Sequence, residues 1–192
     1  MMKPSELTHE PYTGRRNISD VEIAWRLWGD APAETSARER EQVTVHNLVK
    51  EITASRFTLT HDEHGAPRLI GCSCRPPGDL SVTHCAEGAA IAYSDHHIVG
   101  IDMETPRQQL ERVKERFLSA DELEIYTGID LLLKAWTAKE AVYKAAHTPG
   151  LPLIGGIKLT GDDTALAANH TYRLHWIQAG HSDALICVAI RQ

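Results

Sequence analysis

Two acidic residues stand two positions apart in the pentapeptide Gly100–Glu104. On a β-strand, residues two apart lie on the same face, so Asp102 and Glu104 would point in one direction. Two neighbouring carboxylates repel each other unless a cation lies between them, and Mg²⁺ prefers oxygen ligands of this kind. The spacing is therefore compatible with a divalent-cation site. Taken alone, the pentapeptide is better explained by an exposed strand face with two solvated acids.

A third acid lies in the segment Leu131–His147, which is rich in Ala, Leu, Lys and Glu and predicts a helix. Trp136, Glu140 and Lys144 are four residues apart and so form one stripe on that helix. A carboxylate beside a lysine and a large aromatic ring suits an ion site. Taken alone, a surface Glu–Lys pair worth about 0.2–0.5 kcal/mol, with the tryptophan packed, is the simpler explanation.

The elements that must position these residues follow from periodicity and capping signals. Alternating apolar residues predict a strand at 21–27, and the capping box Ser36–Glu39 predicts a helix that continues to about Ile52. The pattern from Leu80 to Glu104 is β throughout, and a second capping box at Ser119–Glu122 begins a short helix. Further strands are predicted at 56–60, 154–159, 172–176 and 184–190. Each half of the chain thus runs strand, helix, strands.

Composition excludes some classes of function. The formal net charge is −6, from 20 basic and 26 acidic residues, whereas a general nucleic-acid binder is normally basic. The sequence has no apolar run as long as a membrane span, and its first residues lack the apolar stretch of a secretory signal, so we expect a cytoplasmic protein. The four cysteines do not have zinc-site spacing, and we expect free thiols. They are Cys72, Cys74, Cys85 and Cys187.

Three motifs in this order and spacing resemble those of the 4′-phosphopantetheinyl transferases. They are Gly-Ile-Asp-x-Glu at Gly100–Glu104, Phe-x-Ser-x-x-Glu at Phe117–Glu122, and Trp-x-x-Lys-Glu-Ala-x-x-Lys at Trp136–Lys144. Upstream, Ser81–Cys85 is similar to the family's Ser-His segment. The turn His64–Pro67 is similar to its Gly-Lys-Pro turn.

The resemblance extends from about Ser36 to Val188, a length typical of the Sfp type rather than the short trimeric AcpS type. It implies an α+β fold, a pseudo-dimer of two similar α/β lobes with the active site in the cleft between them. The N-terminal lobe would span residues 1–98 and the C-terminal lobe residues 99–192. Together they would form one functional unit, and we expect a monomer.

The resemblance also implies roles for individual residues. The family's metal-binding acids match Asp102, Glu104 and Glu140. Lys144 matches the lysine that faces the phosphates of coenzyme A, and Lys139 precedes the catalytic acid. The pair Thr83 and His84 matches a Ser-His pair that contacts the 3′-phosphate of coenzyme A.

The implied activity is that of a holo-acyl-carrier-protein synthase, which uses Mg²⁺, with Mn²⁺ as an alternative ion. A serine of an acyl or peptidyl carrier protein attacks the β-phosphorus of coenzyme A, and 3′,5′-ADP leaves. Glu140, directly or through a metal-bound water, is the candidate base, and Lys144 assists it by neutralising charge. The carrier of fatty-acid, polyketide or peptide synthesis is not distinguished. A basic segment after the metal strand is a candidate carrier-docking patch, although it also fits a solvated helix face: Arg107, Arg112, Lys114, Arg116 and Phe117.

Two positions depart from the family pattern. The lysine of the Gly-Lys-Pro turn is Ala66 here, and we expect Arg68 to take its place because its long side chain can reach a phosphate. A helix position that often carries a cofactor-binding arginine corresponds to His46, a weaker phosphate partner when neutral. Both changes predict weaker coenzyme A binding.

Three other functions compete with transfer. A non-catalytic homologue would bind coenzyme A or a carrier protein, which Ala66 and His46 favour and the complete set of acids opposes. A magnesium-dependent phosphohydrolase would use the same acids on water, but the sequence lacks a Gly-x-x-x-x-Gly-Lys-Ser/Thr phosphate loop. A structural domain would leave the acids without a role.

Overall fold

The computed structural model describes residues 11–29, 36–63, 65–71 and 77–192. The expectations for His64, Cys72 and Cys74, and for the first ten residues, fall outside the described residues. Cys85 and Cys187 are free thiols, as expected.

Most of the described chain is folded into short strands and helices. In chain order the strands are β1 (Tyr12–Ile18), β2 (Val21–Leu27), β3 (Phe57–His61), β4 (Pro67–Gly71), β5 (Asp79–Cys85), β6 (Gly88–Ser94), β7 (Val99–Glu104), β8 (Ile157–Leu159), β9 (Thr164–Ala167), β10 (His170–Gln178) and β11 (Leu185–Arg191). The helices are α1 (Ala37–Ile52), α2 (Gln109–Val113), α3 (Ala120–Ile125), α4 (Ile129–Ala146) and the helical turn α5 (Leu153–Gly156). The mixed α+β class is therefore confirmed.

The strands form two main antiparallel sheets and a small hairpin. The first sheet has the order β1-β2-β6-β5, and the second has the order β7-β11-β10-β9-β8. The hairpin consists of β3 and β4. Consequently β5 and β7 are edge strands, each paired through its main chain on one side.

Helix α1 begins as its capping signal predicts. The hydroxyl of Ser36 accepts a hydrogen bond from Glu39 N, and the Glu39 carboxylate accepts one from Ser36 N, which completes the capping box. Helix α3 begins in the same way at Ser119 and Glu122. The predicted helix at 131–147 is confirmed, with its first turn two residues earlier, and it ends where His147 adopts a left-handed φ of 48°.

The strand predicted at 154–159 is wrong in its first half. Residues 153–156 form a helical turn, and the strand begins only at Ile157. Gly155 has a φ of 77°, which lies outside the strand region, so it interrupts the extended backbone before β8.

The two sheets pack face to face, and each outer face is covered by a long helix. The inner core joins Ile23 and Trp25 of the first sheet to Ile101 and Val188 of the second. Helix α1 covers the outer face of the first sheet. Helix α4 covers that of the second, where Ala138, Ala141, Val142 and Ala145 pack on Tyr172, Leu174 and Ala189. Among the described helices, none has the combination of length and hydropathy that a membrane span requires.

Candidate active site

The edge strands β5 and β7 meet through side chains of β5. Alternate residues of β5 offer side-chain oxygens that accept hydrogen bonds from alternate main-chain N–H groups of β7. The three bonds are Val99 N to Asp79 Oδ2 (2.7 Å), Ile101 N to Ser81 Oγ (3.0 Å) and Met103 N to Thr83 Oγ1 (3.2 Å). These bonds satisfy donors that an edge strand would otherwise bury without partners. We call this contact the β5–β7 junction, and it joins the first sheet to the second.

Asp102 lies on β7 beside this junction and is only 6% exposed. Its Oδ1 accepts a hydrogen bond from Thr83 Oγ1 at 3.0 Å and one from Lys144 Nζ at 2.9 Å. Lys144 also donates to the carbonyl oxygen of Ile101 at 2.9 Å. The second oxygen, Oδ2, is buried, and no described residue donates a hydrogen bond to it. Because a buried carboxylate oxygen without a partner is costly, this oxygen is a candidate ligand for a cation.

The other two predicted acids are electrostatically coupled to Asp102. Burial raises the pKa of Glu140, the charges of Asp102 and Glu104 raise it further, and Lys144 opposes them. Burial also raises the pKa of Glu104, where Arg107 opposes the effect and Asp102 adds to it. The guanidinium of Arg107 is 2.9 Å from Glu104 Oε1. The structure therefore brings the three acids into one neighbourhood, with Lys144 among them.

The side chains of this neighbourhood carry the donor atoms that a divalent cation prefers, but their arrangement does not form a complete metal site. The donors are carboxylate oxygens, which hard cations prefer, and one of them is buried without a partner. Among residues 11–29, 36–63, 65–71 and 77–192, however, no group of three or more Asp, Glu, His or Cys side chains converges as a metal site requires. The ammonium of Lys144, already on Asp102 Oδ1, supplies the nearest positive charge.

The glycine of the first motif lets α4 approach β7. A Cβ at Gly100 would overlap the carbonyl oxygen of Ala141 and crowd the amide of Ala145. Helix α4 carries Glu140 and Lys144, so this close approach sets their distance from Asp102.

We expect Gly100→Ala to destabilise the protein by about 1–3 kcal/mol, because the helix must move to accommodate the methyl group. Urea unfolding measures this loss. Gly161→Ala is the matched control, because a Cβ added there meets nothing within 4 Å, and it should unfold like the wild type. Stability equal to that of the wild type in Gly100→Ala would show that the close approach does not constrain α4.

The second motif has a structural role that the sequence did not reveal. Glu122 Oε2 accepts a hydrogen bond from Lys139 Nζ at 2.7 Å, and Lys139 also donates to the carbonyl oxygens of Leu153 and Ile157. Phe117 packs edge-on against Trp136, with 5.1 Å between the ring centroids. The residues of Phe-x-Ser-x-x-Glu thus anchor the helix that carries Glu140. No local spacing rule links Glu122 to Lys139, so sequence reasoning placed Lys139 only as the neighbour of the acid.

The candidate carrier-docking patch stays a prediction, except that one of its residues is wrong and Lys114 is half-buried. Phe117 is fully buried, so it contributes nothing to the surface. Arg107, Arg112 and Arg116 are exposed, as predicted. Arg107 and Arg116 border a groove of about 290 Å³ whose apolar lining comes from Leu110, Val113, Trp136 and Leu153. Since Arg107 also pairs with Glu104, this groove adjoins the acidic neighbourhood.

The residues predicted to contact coenzyme A lie on three different parts of the fold. Thr83 is 4% exposed and its hydroxyl faces Asp102, whereas His84 is exposed and lies 3.5 Å from Glu41 of α1. His46 is half-buried on α1. Arg68 is exposed on the β3–β4 hairpin, where it pairs with Asp62 at 3.3 Å, and the N–H of Ala66 donates to the same carboxylate. Their predicted contacts with coenzyme A stay predictions.

Comparison with known protein families found a match over the C-terminal part of the chain. The profile of the 4′-phosphopantetheinyl transferase superfamily matches residues 98–185, slightly less than half of the chain. The matched segment contains all three acids, Lys144, and the Glu122–Lys139 pair. No curated protein matches the chain significantly. The match supports placing the chain in the 4′-phosphopantetheinyl transferase superfamily and supports a transferase activity of that kind.

Proposed function

We propose that the protein transfers the 4′-phosphopantetheine group of coenzyme A to a serine of an acyl or peptidyl carrier protein and releases 3′,5′-ADP. The observation that carries this proposal is the buried Asp102, held by Thr83 and Lys144 and electrostatically coupled to Glu104 and Glu140. The three acids and Lys144 lie within the segment that matches the superfamily.

The proposed architecture is of the Sfp type, with lobes at residues 1–98 and 99–192 and a cleft between them. Two sheets, each covered by one long helix and packed face to face, support this arrangement. The proposed boundary falls between β6 and β7, where the chain passes from the first sheet to the second. We propose a cytoplasmic monomer, in which both parts of the site belong to one chain.

Asp102, Glu104 and Glu140 would hold Mg²⁺, or Mn²⁺ in its place. When bound, the ion would neutralise charge on the diphosphate of coenzyme A and on the leaving group. The proposed ligands are all oxygen donors. Burial and the neighbouring acids raise the pKa values of Glu104 and Glu140, which disfavours the ionised carboxylates, and a divalent cation would stabilise them.

Glu140 is the proposed base. The serine oxygen of the carrier forms a bond to the β-phosphorus, the bond from that phosphorus to the oxygen of the departing 3′,5′-ADP breaks, and the serine proton passes to Glu140 directly or through a water. General-base help of this kind typically contributes about 10²–10⁴-fold to the rate. Lys144, whose side chain is 28% exposed, is the proposed positive charge that would face the phosphates.

His84, His46 and Arg68 are the proposed contacts of coenzyme A, together with Thr83. The exposed imidazole of His84 and guanidinium of Arg68 are free to turn toward an anion at the cost of weak surface pairs with Glu41 and Asp62. Because Ala66 offers no charge, we propose weaker coenzyme A binding than in family members that carry a lysine there.

The carrier protein would dock beside the acids. Arg107 and Arg116 border the apolar groove, Arg112 is exposed on the same helical segment, and these charges suit an acidic carrier with an apolar contact residue. We propose carriers of fatty-acid, polyketide or peptide synthesis as the candidates.

The deciding experiment is mass spectrometry of one purified carrier protein from each pathway after incubation with the protein, coenzyme A and Mg²⁺. A mass gain equal to the phosphopantetheine arm, absent with Asp102→Asn and with a carrier whose serine is replaced by alanine, is expected. If no carrier gains mass while coenzyme A still binds, the protein is the non-catalytic homologue. If pantetheine phosphate is released without a carrier, the protein is a phosphohydrolase.

A further inference from the structure

We propose that Thr83 is a positioning residue through which the first sheet fixes the orientation of the Asp102 carboxylate on the second sheet. This inference deepens the proposed function and rests on it, because Asp102 is one of the proposed metal ligands. This role is an alternative to the contact with coenzyme A proposed above, because the one hydroxyl proton of Thr83 cannot be donated to Asp102 and to a phosphate at the same time.

The β5–β7 junction gives Thr83 its fixed position. β7 pairs with β11 on one side, and on its other side the N–H groups of Val99, Ile101 and Met103 donate to side chains of β5. Thr83 is the last of three such contacts, so its hydroxyl is held by the backbone of the strand that carries Asp102. Its β-branched side chain, 4% exposed, has few alternative rotamers in this packing.

The direction of the hydrogen bonds follows from the atoms involved. A hydroxyl has one proton to donate and lone pairs to accept with. The main-chain nitrogen of Met103 can only donate, so Thr83 Oγ1 accepts from it at 3.2 Å. The hydroxyl proton is then given to Asp102 Oδ1 at 3.0 Å. The hydrogen bonds from Thr83 and Lys144 together hold Oδ1 in place. Oδ2 is then the carboxylate oxygen that accepts no hydrogen bond from the described part of the chain.

Ser81 provides a matched control within the same junction. Its hydroxyl accepts from Ile101 N at 3.0 Å, and the residue is 5% exposed, so its environment resembles that of Thr83. Ser81 Oγ makes no hydrogen bond to Asp102 among the described residues. Loss of the Ser81 hydroxyl therefore removes one contact between the sheets without removing a hydrogen bond to the carboxylate.

The test compares Thr83→Val, Thr83→Ala, Thr83→Ser and Ser81→Ala with the wild type and Asp102→Asn. The first readout is the dissociation constant of Mn²⁺, measured by electron paramagnetic resonance without coenzyme A, so that a lost contact with coenzyme A cannot explain weaker binding. We expect Thr83→Val and Thr83→Ala to weaken Mn²⁺ binding by about 10- to 100-fold, as loss of a partner that orients a metal ligand typically does. Thr83→Ser keeps the hydroxyl and should bind Mn²⁺ like the wild type, as should Ser81→Ala.

The second readout is a crystal structure of each Thr83 variant without metal. We expect the Asp102 carboxylate to leave its position beside Lys144 in Thr83→Val or Thr83→Ala and to keep it in Thr83→Ser. An unmoved carboxylate in the variants without the hydroxyl overturns the inference, as does equal weakening of Mn²⁺ binding in Ser81→Ala. If the wild type and Asp102→Asn bind Mn²⁺ equally, the proposed metal site fails, and the crystal structures still decide the role of Thr83.

Discussion

Glu140→Gln is expected to lower the rate of phosphopantetheine transfer by at least about 10²-fold and, in the absence of metal, to make the folded protein more stable at neutral pH. Transfer falls because the variant loses the proposed base and a proposed metal ligand, and general-base catalysis alone contributes typically about 10²–10⁴-fold. Stability rises because burial and the neighbouring charges of Asp102 and Glu104 disfavour the ionised carboxylate in the folded state.

The pH dependence of this gain has a definite sign. Because the pKa of Glu140 is raised on folding, its contribution favours the folded protein below the unfolded-state pKa and is lost as the pH rises through the folded-state pKa. The wild type and the variant should therefore unfold alike at low pH, where both side chains are neutral. As the pH rises from the unfolded-state pKa to the folded-state pKa of Glu140, the variant should become the more stable of the two, and the difference should then stay constant in urea unfolding curves measured at higher pH.

The matched control is Glu124→Gln, an exposed glutamate on α3. It should change neither the transfer rate nor the stability. Mg²⁺ should stabilise the wild type and Glu124→Gln, and it should stabilise Glu140→Gln less, because at a given concentration a ligand that binds the folded state more weakly stabilises it less. If Glu140→Gln transfers phosphopantetheine at the wild-type rate, the proposed role of Glu140 as base and metal ligand is refuted. A variant less stable than the wild type at neutral pH would refute the electrostatic account.

Lys139→Met is expected to have the largest effect on stability, a loss of about 3–5 kcal/mol at neutral pH, because it leaves the buried Glu122 carboxylate without its partner. Lys139 is 0% exposed, and its ammonium also donates hydrogen bonds to the carbonyl oxygens of Leu153 and Ile157. The variant should lose transfer activity at temperatures where it is partly unfolded. Urea unfolding at neutral pH measures the loss of stability.

The pH dependence of the pair gives a second check. Burial alone would raise the pKa of Glu122, but the hydrogen bonds from Lys139 and Ser119 N and the charge of Lys139 outweigh it and hold that pKa below its ordinary value. The stabilisation from Glu122 is therefore present above the unfolded-state pKa and is lost as the pH falls through the folded-state pKa. The difference between the wild type and Lys139→Met should shrink in acid.

Lys134→Met is the control for this prediction, because Lys134 is an exposed lysine on the same helix. It should change the free energy of unfolding by less than about 0.5 kcal/mol, as surface substitutions usually do. The double variant Glu122→Gln, Lys139→Met should be more stable than Lys139→Met, since it removes the uncompensated charge. Equal stability of Lys139→Met and Lys134→Met would mean that the ion pair does not hold α3 on α4.

Features that depend on residues close together in the sequence were predictable from the sequence alone. Both capping boxes, at Ser36 and at Ser119, form as their residue types predict, because a cap depends on residues three positions apart. Helix α4 follows from its composition, so the shared face of Glu140 and Lys144 follows as well. Asp102 and Glu104 were recognisable as acids on one face of a strand, since strand periodicity alone decides that.

Tertiary structure decided which of these faces meet. The bond from Lys144 to Asp102 joins residues 42 apart, and the bond from Thr83 to Asp102 joins residues 19 apart on edge strands of different sheets. The burial of Phe117, which lies between α2 and α3, depends likewise on packing against Trp136 of α4. Periodicity specifies the direction of a side chain relative to its own element, whereas the docking of two sheet edges and the approach of α4 at Gly100 determine what that side chain touches. The acidic residues and the faces on which they lie were therefore predictable from the sequence. Their hydrogen-bond partners were determined by how the sheets and helix α4 pack.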